Sequence, residues 1–344
     1  MPHISKKKFI YKVGPLLRAY LKKYGRETDI PIHYSDLKEY TESISLRDKK
    51  GKDTLWETCI YGPAEQERIY LHLLEIYALL KVGGDMKVVE HLAVDRIDIC
   101  LYGNTLPFRI RIINKLNDNF DYFYVKNADA SRIYGLELEH LLSPNRISYL
   151  VSNDSLIEEH IVGIPGDEFI KNYVHESDFN GTRLAKEFVK FNERCFLRLL
   201  GDMHSSNFVI QITPDFDETN YRIRAIDFDQ QSFEGRKNIY LPQFYKQNKF
   251  FLENVQKFVS QRSLKQYQRE ERMVMISRMR AAKWPLQSLL EIMGVEQIAP
   301  TENVLKLAQE LADYYHSPRI LKAKNMGELV KASLLESFRV RKEK

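Results

Sequence analysis

The sequence predicts an α+β fold of two lobes: a small antiparallel β lobe over 88–163 and a larger helical lobe over 164–344, preceded by an N-terminal helical extension over 1–87. Three observations predict it. Apolar residues alternate with polar ones through LAVDRIDICLYG, FRIRII and FDYFYVKNAD, and turn residues break the run at GNTLP and KLNDN, the pattern of successive antiparallel strands. From Asn180 onward, long segments carry apolar residues at helical spacing. Within that second half, two short apolar runs flank the turn-rich TPDFDETN, so a β-hairpin with acidic residues at its base is expected there.

Each element has its own local reason. Phe9 to Tyr24 places apolar residues on one helical face and Lys and Arg on the other; RDKKGKD reads as an exposed loop. PAEQERIYLHLLEIYALLKVGG is the clearest helix of the extension: Pro63 at its start, Glu65 and Glu67 in the first turn, Gly83-Gly84 to end it. After the three strands, ASRIYGLELEHLLSP reads as a helix from near Ser131, stopped by Pro144. RISYLVS and SLIEEHIVG read as two further strands joined by Asn153-Asp154, with a Gly/Pro exit at GIPGDEF. NGTRLAKEFVKFNERCFLRLL is a long helix that delivers Leu200 into the following loop. The last hundred residues read as a helical set: Phe244 to Val259, SLKQYQREERMVMISRMRAAKW stopped by Pro285, PLQSLLEIMG, TENVLKLAQELADYY and MGELVKASLLESFRV.

Composition bounds the function. A 44% hydrophobic and 29% charged chain of 344 residues is ordinary for a globular protein with a sizeable core. Its +5 charge, 52 basic against 47 acidic residues, is too mild to demand nucleic acid or an anionic membrane as partner. Three cysteines, Cys59, Cys100 and Cys195, without a CxxC pair, argue for a reducing compartment and against a disulfide framework or structural zinc. No apolar stretch is long enough to span a membrane and the basic start lacks a signal-peptide core, so the expectation is a cytoplasmic protein.

The chemistry concentrates in LLGDMHSSNFVI and IRAIDFDQQSFEG. Asp202 and Asn207 stand in the first segment, Asp227 and Asp229 in the second, and the expected hairpin joins them. Carboxylates and an amide at the ends of short strands form a hard-oxygen set, suited to Mg²⁺ and a phosphate chain. The order D-x-x-x-x-N followed by D-F-x resembles the catalytic and metal loops of the protein-kinase-like fold. In detail it is similar to the aminoglycoside phosphotransferase and choline kinase branch, where Gly-Asp-x-His-x-x-Asn precedes Ile-Asp-Phe/Trp-Asp/Glu. Leu200 stands where that branch carries His, and the first hairpin keeps one glycine, Gly103, where a glycine-rich phosphate loop is expected; Asn104 and Thr105 are candidate phosphate donors in its place.

The resemblance covers roughly residues 90 to 240 and implies roles. Asp202 would accept or orient the proton of an attacking hydroxyl. Asn207 and Asp227 would hold Mg²⁺; Asp229, which shares a strand face with Asp227, would reach a second metal or brace the loop. His204 is assigned to bracing that loop. Lys126, at the end of the third strand, would contact the α- and β-phosphates of ATP. Its carboxylate partner would come from the next helix, Glu137 preferred and Glu139 the alternative. Glu159 and Ile161 would meet the adenine edge through main-chain atoms. The implied activity is ATP- and Mg²⁺-dependent transfer of the γ-phosphate to a hydroxyl of a small molecule or a protein, the motif style favouring the small molecule. Transfer of AMP on the same fold and a catalytically silent, partner-binding module are the alternatives.

Overall fold

The computed structural model describes residues 8–48, 50–103, 105–175, 179–214 and 219–338; Asn104 lies outside them. The chain divides into two compact units, one of Met1–Ala130 with Ile147–His160, the other of Ser131–Arg146 with Ile161–Lys344. The passage from first to second after the strands falls between His160 and Ile161.

The first unit is a mixed α/β body around one antiparallel sheet. Helix α1 (Pro15–Lys23) is followed by strands β1 (Glu42–Arg47) and β2 (Asp53–Ile60), helix α2 (Pro63–Val82) and strands β3 (Leu92–Ile99), β4 (Phe108–Asn114) and β5 (Phe120–Asn127). Helix α3 (Ala130–Leu142) intervenes, all but its first residue counted with the second unit, before β6 (Tyr149–Ser152) and β7 (Ser155–Glu159). The described strands order as β1-β2-β3-β4-β5-β7-β6. The helix α2 begins at Pro63 and ends where Gly83 takes the left-handed conformation, φ 66°, as its sequence requires. Its Ile69, Leu73 and Ile76 pack with Ile97, Ile110, Ile112 and Phe123 of the sheet into the core. One-residue alternation therefore sends Arg109, Arg111, Tyr122 and Tyr124 to the opposite face.

The helical extension expected over 1–87 is corrected at 42–60, which form a hairpin joined to the sheet through Glu57↔Ile99 and Thr58↔Asp98. The physical reason is side-chain shape: Ile44, Thr54, Trp56, Thr58 and Ile60 favour a pleated strand over a helix, where branching at Cβ restricts χ1. Between the two strands Asp48 Oδ1 accepts from the amides of Lys50 and Lys52, and Gly51 has φ 77°.

The second unit holds a three-stranded sheet and a helical array. β8 (Ile164–Pro165) and helix α4 (Gly166–Asn172) precede helix α5 (Gly181–Leu197), whose N-cap Asn180 accepts from the Arg183 amide. β9 (Phe208–Pro214) and β10 (Thr219–Ala225) form the expected hairpin, and β8 pairs with β9. Five helices follow: α6 (Lys249–Phe258), α7 (Gln261–Ala281), α8 (Lys283–Met293), α9 (Thr301–Tyr315) and α10 (Met326–Phe338). Pro285 does not stop α7, as its sequence suggested; it sits in the first turn of α8, where the missing N–H is not needed. On α7 Met275 is buried, while Met273 is 56% exposed and fills no core.

Helix α5 is the axis of this unit, packed by α6, α7 and β10. Its buried Arg194 donates to Glu187 at 2.8 Å, Glu271 at 3.2 Å and the Ile223 carbonyl at 3.0 Å, tying α5 to α7 and to the hairpin. The helix ends in a left-handed residue, Leu199 at φ 56°, and the chain turns into the loop that carries Asp202.

Candidate active site

The loop 200–207 is fixed by backbone demand before any side chain acts. Leu200 bridges Gln231, the Gly201 amide donates to the Gln230 carbonyl at 3.1 Å, and the Ser232 amide donates to the Leu199 carbonyl at 2.8 Å. These bonds lay the segment after α5 against the segment after β10. Asp202 has φ 58°, a left-handed conformation that Asp tolerates better than most residues. The Asp202 amide donates to the Tyr245 hydroxyl at 2.9 Å, and that hydroxyl donates to the Ile239 carbonyl at 2.8 Å. Both hydrogen-bonding capacities of Tyr245 serve the loop.

Asn207 closes the loop on itself. Its Nδ2 donates to the Asp202 carbonyl at 2.8 Å, its amide to the His204 carbonyl at 2.8 Å, and its own carbonyl accepts from the Ile226 amide at 3.0 Å. That last bond ties the base of the hairpin together and sets Asp227, the next residue, beside the loop. The register of β9 and β10, Phe208 opposite Ala225, does the rest. His204 lies 4.0 Å from Asp202 through Nε2, its Nδ1 accepts from the Ser206 amide at 3.4 Å, and its ring meets Tyr245 edge-on. Burial lowers its basicity, so it is neutral at pH 7, and its geometry is that of a loop brace.

Three carboxylates gather here. Burial, and then the negative charges of Asp227, Glu234 and Asp229, push the Asp202 carboxyl up to about 7. Asp227 and Asp229 are joined by one cation that the motif did not announce. Arg132, near the start of α3 and 2% exposed in its side chain, donates from Nη1 to Asp227 Oδ1 at 2.9 Å and Asp229 Oδ1 at 2.7 Å. Its Nη2 reaches the Ile226 carbonyl at 3.3 Å. Asp227 Oδ1 also accepts from the Asp229 amide at 3.0 Å. A signal for Arg132 was present: it stands among Ile133, Tyr134 and Leu136 in a segment bound for the interior, and a buried guanidinium needs carboxylates.

Asp202, Asn207, Asp227 and Asp229 are therefore brought into one neighbourhood of the second unit. The carboxylate and amide oxygens present are hard ligands that fit a divalent cation on chemical grounds. Among the described residues no group of three or more His, Cys, Asp or Glu is arranged to hold a metal by itself; the expected set relies on Asn207. Of the two glutamates on α3, both are buried. Glu139 forms an ion pair with Arg198 and accepts from Asn145 Nδ2, so its carboxylate is spent inside the second unit.

The first unit holds the remaining candidates. Lys126 is 8% exposed and donates to Glu158 Oε2 at 2.9 Å across the β5–β7 ladder, a partner the sequence reading did not name. The Glu159 amide donates to the Ser148 carbonyl at 3.0 Å and its side chain accepts from the Ser148 amide at 2.9 Å, so both serve the sheet. Ile161, 8% exposed, is the first residue after the passage between units. Of the expected phosphate loop, Thr105 and the following Leu106 accept through their carbonyls from the Tyr34 hydroxyl at 3.1 Å each. A Cβ on Gly103 would meet the Pro107 ring at 2.6 Å, so this glycine answers a close approach. No helix among the described residues is long and apolar enough to cross a membrane.

No family model matches the chain, and no curated protein does. Among solved structures it is similar to titin kinase and its flanking domains, at 13% identity and a TM-score of 0.27, over 72% of this chain and 55% of that one. It is also similar to the autoinhibited serine kinase domain of the giant muscle protein titin, at 14% identity and a TM-score of 0.26, over 66% of this chain and 88% of that one. The chain thus spans about half the length of the first. Similarity at these scores carries no argument about fold or chemistry.

Proposed function

We propose that this chain is an ATP- and Mg²⁺-dependent phosphotransferase of the protein-kinase-like fold, moving the γ-phosphate to a hydroxyl of a small molecule or protein in the cytoplasm. One observation carries the reading. Residues from two separate segments meet at one place: Asn207 Nδ2 donates to the Asp202 carbonyl at 2.8 Å, the Asn207 carbonyl accepts from the Ile226 amide at 3.0 Å, and Asp227 follows directly with Oδ1 accepting from the Asp229 amide at 3.0 Å. In this reading Asp202 receives the proton of the acceptor hydroxyl as its oxygen bonds to the γ-phosphorus and the bond to the ADP oxygen breaks. Asn207 and Asp227 hold Mg²⁺, with Asp229 beside them; the ion, when bound, supplies charge neutralisation on the phosphate chain. Lys126, which donates to Glu158 at 2.9 Å, would contact phosphate oxygens.

Labelled ATP tests this. Purified protein is offered pools of hydroxylated metabolites and proteins with ATP labelled at the γ- or the α-phosphate. Transfer of γ-label that disappears in Asp202→Asn supports the proposal; transfer of α-label instead selects nucleotidyl (AMP) transfer. A second reading, a silent partner-binding module, is favoured by Arg132 holding both metal-site carboxylates and by the single glycine of the first hairpin. No label transfer, with no thermal stabilisation by millimolar ATP and Mg²⁺, selects that module.

A further inference from the structure

We infer that Arg132 takes the place of a second metal ion, so that the site holds one divalent cation and Asp229 serves as counter-ion to the guanidinium. This rests on the phosphotransferase reading and concerns its metal stoichiometry. Asp227 and Asp229 sit two residues apart in the segment that follows β10, and both turn an Oδ1 toward the same point. A cation bridging two carboxylates belongs at such a point. The structure fills it with Nη1 of Arg132, 2.9 Å from one oxygen and 2.7 Å from the other.

The guanidinium is held there by more than its two ion pairs. Its side chain is 2% exposed, Nη2 donates to the Ile226 carbonyl, and its carbon lies 5.9 Å from the centre of the Phe228 ring. Arg132 belongs to α3, and α3 is anchored to the same segment from its next turn. Ser131 donates to the Gln231 carbonyl at 2.8 Å, and Gly135 passes so close that an added Cβ would meet Phe228 at 2.9 Å. The arginine is thus a built-in, permanently charged group, since a guanidinium keeps its proton. A metal seated on the same two oxygens would have to displace it or stand against its charge. Arg132 is a positioning residue here, since it sets the reach of Asp227 and the role of Asp229.

Counting bound Mn²⁺ decides the matter without reference to turnover. The full chain is titrated with Mn²⁺ in the presence of a non-hydrolysable ATP analogue, free aquo-Mn²⁺ being read by electron paramagnetic resonance with analogue-only controls subtracted. The expected result is one Mn²⁺ per chain for the wild type and for Arg132→Lys, which keeps the charge, and two for Arg132→Met, which removes it. A role confined to packing would instead lower binding in both variants. Two Mn²⁺ on the wild type would overturn the inference while leaving the phosphotransferase reading standing. No Mn²⁺ on the wild type would remove that reading and the inference with it. One Mn²⁺ on a folded Arg132→Met, at unchanged affinity, would also overturn the inference. If Arg132→Met does not fold, the wild-type and Arg132→Lys counts decide, one supporting the inference and two overturning it.

Discussion

Asp98 in the first unit and Asp202 in the second are both carboxylates among other charges, yet their surroundings are built on different charge balances. Asp98 is fully buried and faces two guanidinia: Arg96 Nε at 3.1 Å and Arg109 Nη2 at 2.8 Å, with the Thr58 hydroxyl at 2.9 Å. Arg109 in turn stacks on Trp56 and Tyr122. Every lone pair there finds a donor, and the cluster holds strands β2, β3 and β4 together. Around Asp202 the balance is reversed, with Asp227, Asp229 and Glu234 near it and Arg132 committed to two of them. Excess negative charge is costly to fold, so its retention on a fixed loop makes the second cluster the candidate reactive site. The difference teaches that charge balance, more than burial, separates a structural carboxylate from a candidate catalytic one.

The sharpest way to break this comparison is to remove each carboxylate in turn. Asp202→Asn should lower turnover by about 10³-fold, the range of general-base catalysis, in the γ-phosphate assay. With Asp202 intact, kcat/KM should rise with pH through about 7 and then level, since only the ionised carboxyl accepts a proton. A flat profile between pH 5 and 9 would deny Asp202 that task. Asp98→Ala, by contrast, should cost stability by about 3 kcal/mol in urea unfolding, because two guanidinia lose their shared partner.

A smaller effect sharpens the contrast. The folded Asp202 carboxyl lies above its unfolded value of about 3.9, so between about pH 4 and 7 the folded state binds more protons and stability falls as pH rises. Below that window both states are protonated and the difference vanishes. Asp202→Asn should therefore stabilise the protein at pH 8, by about 1 kcal/mol once solvent screening of this partly exposed group is allowed for, and have little effect at pH 4. Thermal melts at the two pH values check it. The smallest effect belongs to a pair with neither role: Lys171, 57% exposed beside Asp167 and Glu168, should lose under about 0.5 kcal/mol on change to Ala in the same melts.

The legible parts of the fold are those whose signals are local. Pro63 and Gly83 bound α2, the Asn153-Asp154 turn joins β6 to β7, and the run after Asn207 forms a hairpin as read. The β1–β2 hairpin escaped because its strands are largely exposed, so alternation is blurred, and because its place in the sheet depends on pairing with β3 far along the chain. At the site, the spacing of Asp202, Asn207 and Asp227 announced the loop and the hairpin base. It could not announce Arg132, which lies 95 residues from Asp227, nor choose between Glu137 and Glu139, a choice that the Arg198 ion pair informs by occupying Glu139.

The sequence by itself determined where the chain turns, which stretches alternate or coil, and which oxygen-bearing side chains stand at the ends of the hairpin. These follow from backbone hydrogen bonding and apolar periodicity, which act over a few residues. Only the tertiary structure decided which charges meet: that Arg132 closes on Asp227 and Asp229, that Glu158 takes Lys126, and that Asp202 is left with its carboxyl raised to about 7. Coulomb interactions depend on distance in space rather than along the chain, so they are fixed only when the fold brings the partners together.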